Sequence, residues 1–240
     1  MCYNQSDIYQ VGGFTVKKLL HPWLVGGGVA ALLFITLHIL LCTVDVRAIG
    51  PLGSSVGLAG ANGFVRDRIG ASDTLYTLSK LLGILALAAA AAFALLGLWQ
   101  WITRRSLRRV DGDLFALYAM YAAVLAVYLL YEVISPNYRP VAGDGGLAAS
   151  FHSSHTLFAV SLFGSSALQL GHRIKNKHLR RAAVLACAIC AVATVAFRFL
   201  SGVHWLTDIL GGMLAGGALL CFYAYAEEQL SHPQSKGAEE

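Results

Sequence analysis

Arg198, His204 and Asp208 are ionisable side chains set where one apolar run ends and another begins, in the stretch Arg198-Phe-Leu-Ser-Gly-Val-His204-Trp-Leu-Thr-Asp208. Such groups are expensive beside lipid and tend to be functional there. Ser201-Gly202 is a turn signal, which predicts that Arg198 closes one helix and His204 opens the next. His204 and Asp208, four positions apart, then share a helical face. At that spacing a carboxylate can hold one imidazole nitrogen while the other is left free to attack, with Arg198 opposite as an anion clamp. A single His at a helix start is more often a cap or a core residue, so it is the group that points to chemistry. Upstream lie Arg139-Pro140 and His152-Ser153-Ser154-His155. Phosphoryl transfer needs cations and donors around the phosphorus, an in-line nucleophile and an acid for the leaving oxygen, and these residues can supply each without a metal. A rival reading takes His152, His155, His204 and Asp208 as zinc ligands, which Arg139 and Arg198 disfavour by repelling a dication.

The elements that must position these groups follow from composition. Of 240 residues, 57% are hydrophobic and only 13% charged, too few charges to cover the surface of a soluble globule. A membrane span needs about 20 apolar residues, and six stretches qualify: 22–44, 76–101, 114–135, 155–171, 182–200 and 205–226. They nearly exhaust the chain, which predicts a single all-α domain over residues 1–240, a bundle of six transmembrane helices. The first stretch follows Lys17-Lys18 as a signal peptide would, but it is too long and has no clear cleavage site, so it is expected to be a retained helix.

Orientation follows from the basic residues. Lys17 and Lys18, the arginines from Arg104 to Arg109, the cluster from Arg173 to Arg181 and Lys236 all fall on one side, and the positive-inside rule makes that side cytoplasmic. Both termini are then cytoplasmic and the His204 stretch faces outward. The net charge of +5 reflects these short loops flanking spans, not a nucleic-acid patch. An outward segment from Asp45 to Asp73, rich in Gly, either covers the site, lies in the membrane interface or is a plain connector.

Arg198, His204 and Asp208 resemble the third motif of the type 2 phosphatidic acid phosphatase family, Ser-Arg-x5-His-x3-Asp, with Phe197 in place of the Ser. Arg139-Pro140 resembles the end of its first motif, Lys-x6-Arg-Pro, and His152-Ser153-Ser154-His155 its second, Pro-Ser-Gly-His. The core motifs thus span 132–208. Glu132 stands where the family has Lys, His152 where it has Pro, and Ser154 where it has Gly. The resemblance implies a six-helix bundle around an outward-facing site that works without a cofactor. It implies that His204 is the nucleophile that becomes phosphohistidine, that Asp208 orients it and that His155 protonates the leaving group. Arg139, Arg198, the Ser153 hydroxyl and the amides of Ser153 and Ser154 are then the phosphate ligands. Lys80, at a depth in the second span similar to that of Glu132 in the third, is expected to replace the missing cation, steadied by Glu132.

The expected function is a metal-independent membrane phosphatase, multi-pass in a bacterial plasma membrane. Its partners are membrane lipids and a lipid phosphate or pyrophosphate of the phosphatidate, phosphatidylglycerol phosphate or polyprenyl pyrophosphate type. Alternatives are a phosphotransferase of the same fold and a membrane protein that binds anions or lipid phosphates without chemistry. Elsewhere, Cys187-x-x-Cys190 and Gly212-x-x-x-Gly216 are expected to serve helix packing.

Overall fold

Away from water a chain must bond its own backbone polar groups, so long apolar runs become helices. The computed structural model describes residues 10–11, 14–15, 21–142 and 146–231. After a two-stranded antiparallel pair, β1 (Gln10–Val11) with β2 (Phe14–Thr15), the described residues are helical apart from their connections. Helix α1 spans Pro22–Thr43 and has Pro in its first turn, where a missing N–H costs nothing. Helix α2 (Ala59–Ile69) is short, and α3 (Asp73–Arg104) starts at Ser72, whose hydroxyl accepts from the Leu75 amide. Helix α4 is Gly112–Ile134. Helix α5, residues 154–173, is built of α-helical Ser154–Phe158, a π-helical stretch Ala159–Phe163 and α-helical Gly164–Arg173. Helix α6 is Lys177–Leu200, capped by the Asn176 side chain, and α7 is Leu206–Ser231.

Among the described residues, α1, α3, α4, α6 and α7 are long and apolar enough to cross a membrane. Their large apolar side chains turn outward: Leu32, Ile84, Leu125, Ile189 and Val192 are all more than half exposed. A surface of that kind belongs in lipid, and the protein is a multi-pass membrane protein. The expected span at 155–171 is α5, whose buried face carries Ser161, Ser165, Ser166 and Gln169 and is the most polar of the bundle. Lys17, Lys18 and Lys236, which support part of the expected orientation, lie outside the described residues.

Helix α7 packs against α1, α4 and α5. A core of Leu114, Leu117, Met120, Val124, Leu157, Ala215 and Tyr223 fills the space between α4, α5 and α7. Gly212 and Gly216 face α5, where a Cβ would meet the Ser153 carbonyl and Thr156 at 2.8 Å and Val160 at 3.0 Å, so the small-residue stripe serves contact within the chain. The segment expected as cover, interface element or connector contains α2 and lies against α7.

The bundle end remote from His204 is tied by Arg173. It bonds Asp111 at 2.9 Å, Asp113 at 2.6 Å and Gln169 at 2.7 Å, joining α4 to α5. Gln169 continues to the Tyr223 hydroxyl of α7 at 2.7 Å, and Arg104 reaches Asp111 from α3. Burial would raise the Asp111 pKa, but hydrogen bonds from Arg173, Arg104 and Gln100 outweigh it and bring it to about 2.

Candidate active site

The ends of α4 and α6 and the starts of α5 and α7 meet at one end of the bundle, so the loops at 135–153 and 201–205 converge there. The Asp208 carbonyl accepts the Ser153 amide at 3.0 Å and stitches the start of α7 to the start of α5. Within the first loop, Arg139 N–H bonds the Ala148 carbonyl and Ser150 N–H the Asn137 carbonyl, each at 3.0 Å, in a short antiparallel ladder. The ladder brings Arg139 and Ser150 beside His204.

His204 is buried, 4% exposed, and its Nδ1 lies 3.5 Å from Asp208 Oδ2, long for a direct hydrogen bond. Ser150 fills that gap. Its hydroxyl donates to Asp208 Oδ2 and lies 3.1 Å from His204 Nδ1. A hydroxyl has one proton to give. With that proton on the carboxylate, Ser150 Oγ can only accept from the imidazole, so Nδ1 carries the ring proton and Nε2 keeps its lone pair. His204 Nε2 has no hydrogen-bond partner. Asp208 Oδ2 is held in turn by the Trp205 amide at 2.9 Å. Burial, with the fields of Arg198 and Arg139 behind it, pushes the His204 pKa well below 6.5 and keeps the ring neutral.

Arg198 is fully buried at the end of α6, its Nη1 3.2 Å from the Ser79 hydroxyl and its guanidinium 4.9 Å from the centre of the Tyr76 ring on α3. Lys80 lies on the same ring, its ammonium 5.2 Å from the centre. His155 sits against α3 at Gly83, with its Nδ1 buried and unpartnered, and Arg198, His204, Arg139 and Lys80 are the charged or titratable groups around it. The structure therefore brings His155, His204, Asp208, Arg139, Arg198 and Lys80 to one place.

Two expectations change. The Ser153 amide is spent on the Asp208 carbonyl and its hydroxyl accepts from Thr156 at 3.1 Å, so the amide is not a free phosphate donor. Ser154 instead lines a cavity of about 10 Å³ with His204, Arg139, His152, Glu132 and Tyr128. A phosphoryl group needs more room than that; of the wall members Glu132 is exposed and Arg139 half-buried. Nor do Lys80 and Glu132 pair: no ion pair joins them among the described residues. Helix α5 wedges between them, with His155 against Gly83 of α3 and Phe158 against Tyr128 of α4 at 5.6 Å.

His152 occupies an aromatic nest of Phe34, Tyr131 and Phe151, where burial lowers its pKa. It packs as an apolar residue would. Spacing gave no sign of Ser150, Ser79, Tyr76 or Asn137. Only their packing in the folded bundle reveals them. Beneath α2 a separate cavity of about 650 Å³ is walled by Arg47, Phe64, Arg66, Pro140 and Trp205, and it does not include His155 or His204.

The family model of the PAP2 superfamily matches residues 131–231. A comparison with curated protein sequences finds no match. Among solved structures, the chain is similar to a transmembrane PAP2 type phosphatidylglycerolphosphate phosphatase from Bacillus subtilis. The TM-score is 0.57 and the identity 17%, over 89% of this chain and 99% of that one. At that identity the likeness speaks to the fold. The matched region begins at Tyr131, just before Glu132, and contains every motif residue from Arg139 to Asp208. The region that carries the motifs, residues 131–231, is thus similar to the PAP2 superfamily.

Proposed function

We propose that this protein is an integral membrane phosphatase that hydrolyses a lipid phosphate or lipid pyrophosphate through a phosphohistidine on His204. The observation that carries the reading is the state of that imidazole: neutral, with Nδ1 engaged by Ser150 and Asp208, and with Nε2 buried and unpartnered among Arg139, Arg198 and His155. A membrane phosphatase in the fold-matched Bacillus subtilis structure supports it.

In the first step His204 Nε2 attacks phosphorus in line with the ester or anhydride oxygen. The P–O bond breaks, and His155, protonated beside the bound phosphate, gives that proton to the departing oxygen and is left neutral. Arg139, Arg198 and Lys80 balance the charge on the phosphoryl oxygens, with the Ser153 hydroxyl and Ser154 as further donors. In the second step a water gives its proton to His155 and attacks phosphorus. The P–N bond breaks, which releases phosphate and restores neutral His204. Asp208 stabilises the imidazole as positive charge develops on it.

In this reading α5 completes a six-span bundle, the termini lie in the cytoplasm and the site faces outward from the plasma membrane, so substrate arrives sideways from the outer leaflet. A phosphotransferase would share the first step and differ only in the acceptor that clears the phosphohistidine. The test is phosphate release by purified protein from phosphatidate, phosphatidylglycerol phosphate and a polyprenyl pyrophosphate in mixed micelles, with no acceptor added. The expected result is release from at least one, and its loss in His204→Ala. Transfer only when an alcohol acceptor is supplied would identify a transferase. Binding without turnover would identify a lipid-phosphate binder.

A further inference from the structure

The outward segment at 45–73 meets each loop of the site through buried polar contacts. Its Gly57 amide donates to Asn137 Oδ1 at 3.0 Å, in the loop that leads to Arg139. The Ser72 amide donates to the Ser201 carbonyl at 3.1 Å, in the loop between Arg198 and His204. Gly202, at φ 66°, packs so closely on Gly70 that a Cβ would collide with the Gly70 carbonyl. The tightest contact is made by Asn62, which is fully buried on α2. Its Nδ2 donates to the Gly57 carbonyl at 2.8 Å and to Thr207 Oγ1 at 3.0 Å, and its Oδ1 accepts the Thr207 amide at 3.2 Å.

Thr207 is the second residue of α7, and its N–H is one of the four that a helix start leaves without a partner. Asn62 therefore caps α7 from another element. A cap supplied this way sets more than helix stability, because the rotation of the first turn of α7 decides where its neighbour Asp208 points, and with it His204. Both amide protons of Asn62 are used within the protein, so it has no donor left for substrate.

We infer that Asn62 is a positioning residue for the His204–Asp208 pair, and that α2 is the part of the site that locks the first turn of α7 in its reactive rotation. The inference rests on the hydrolase reading above. A misplacement of about 1 Å by a change remote from the chemistry can cost about 100-fold in rate. Asn62→Ala should therefore lower kcat by about tenfold or more while KM for the lipid phosphate stays within about twofold. Asn62→Asp keeps the acceptor for the Thr207 amide but loses both donors, and should fall between. Thr207→Ser, which retains the hydroxyl, should behave as wild type, whereas Thr207→Val should lose kcat without a rise in KM.

The experiment is steady-state phosphate release in mixed micelles for these four variants, each checked for a single monodisperse elution peak and a cooperative thermal transition. A kcat for Asn62→Ala within twofold of wild type overturns the inference. A rise in KM at unchanged kcat also overturns it, since it would make α2 a binding element. If Asn62→Ala does not fold, Asn62→Asp decides by the same criteria. Wild-type protein inactive on every lipid phosphate refutes the hydrolase reading, and this inference with it. An active wild type with an unaffected Asn62 variant refutes this inference alone.

Discussion

Ser150→Ala isolates the feature that most sharply defines the chemistry of His204. The substitution removes one oxygen, which at once donates to Asp208 Oδ2 and accepts from His204 Nδ1. What remains between imidazole and carboxylate is the 3.5 Å approach of Nδ1 to Oδ2, and Asp208 keeps its bond from the Trp205 amide. The ring is then free to tilt, and neither tautomer is strongly preferred. A hydrogen bond to a charged group contributes about 2 kcal/mol. In the proposed phosphohistidine mechanism the bridge strengthens as His204 becomes positive in the transition state, so most of that difference should appear in kcat. At 1.36 kcal/mol per tenfold, the loss is about 30-fold. The assay is phosphate release from a lipid phosphate in mixed micelles, read as kcat and KM separately, beside His204→Ala, which should be inactive, and Asp208→Asn, which should lose far more than Ser150→Ala. Ser150→Ala with kcat within twofold of wild type would refute the bridge and the tautomer assigned from it.

Further predictions rest on other parts of the structure. Lys80→Met should raise KM several-fold with a smaller change in kcat, because Lys80 reaches the site across the Tyr76 ring beside Arg198; unchanged kinetics would remove it from the phosphate ligands. Arg173→Ala should lower the thermal stability of the purified protein, by about 2 kcal/mol for its charged hydrogen bonds, while leaving KM untouched, since it lies at the end of the bundle remote from His204. The Asp111 contribution to that network should be full above about pH 4 and fade as pH falls toward 2, because its folded pKa is depressed from 3.8 to about 2. Thermal unfolding of wild type and Asp111→Asn across that range checks the sign, and a wild-type profile parallel to that of the variant would contradict it. A single cysteine at Leu52, which is 83% exposed, should react with an impermeant thiol reagent from outside intact cells, and one at exposed Asn176 only after lysis. The reverse pattern would invert the orientation and place the site in the cytoplasm.

Much of this architecture was legible because lipid imposes one-dimensional rules. A span must be apolar along its whole length and must bond its own backbone. The stretch 22–44 therefore announced α1 almost to the residue, and 182–200 announced α6 with its end at Leu200 correct and its start five residues late, since the helix begins at Lys177. The motif side chains were legible for a related reason: Arg198, His204 and Asp208 stand out because little else around them is ionisable, and their spacing fixes a common helical face. Helix α2 was not legible. Its sequence, Ala-Gly-Ala-Asn-Gly-Phe-Val-Arg-Asp-Arg-Ile, holds two glycines and no sustained apolar period, and it is helical because Asn62 and its neighbours dock on α7.

By itself the sequence determined that this chain crosses a membrane many times, that its motif side chains gather in two loops at one end, and which types of side chain those loops supply. These properties depend on residue type and spacing alone, through transfer cost and helical period. Only the tertiary structure decided the partners. It set Ser150, rather than Asp208 alone, against His204. It sent the Ser153 amide to the Asp208 carbonyl instead of to phosphate, and it separated Lys80 from Glu132 by inserting α5 between them. Each of these outcomes depends on which helices are neighbours and how they are rotated. That is settled by packing summed over the whole bundle, through contacts such as Gly212 on Ser153 and Asn62 on Thr207, which no local pattern encodes.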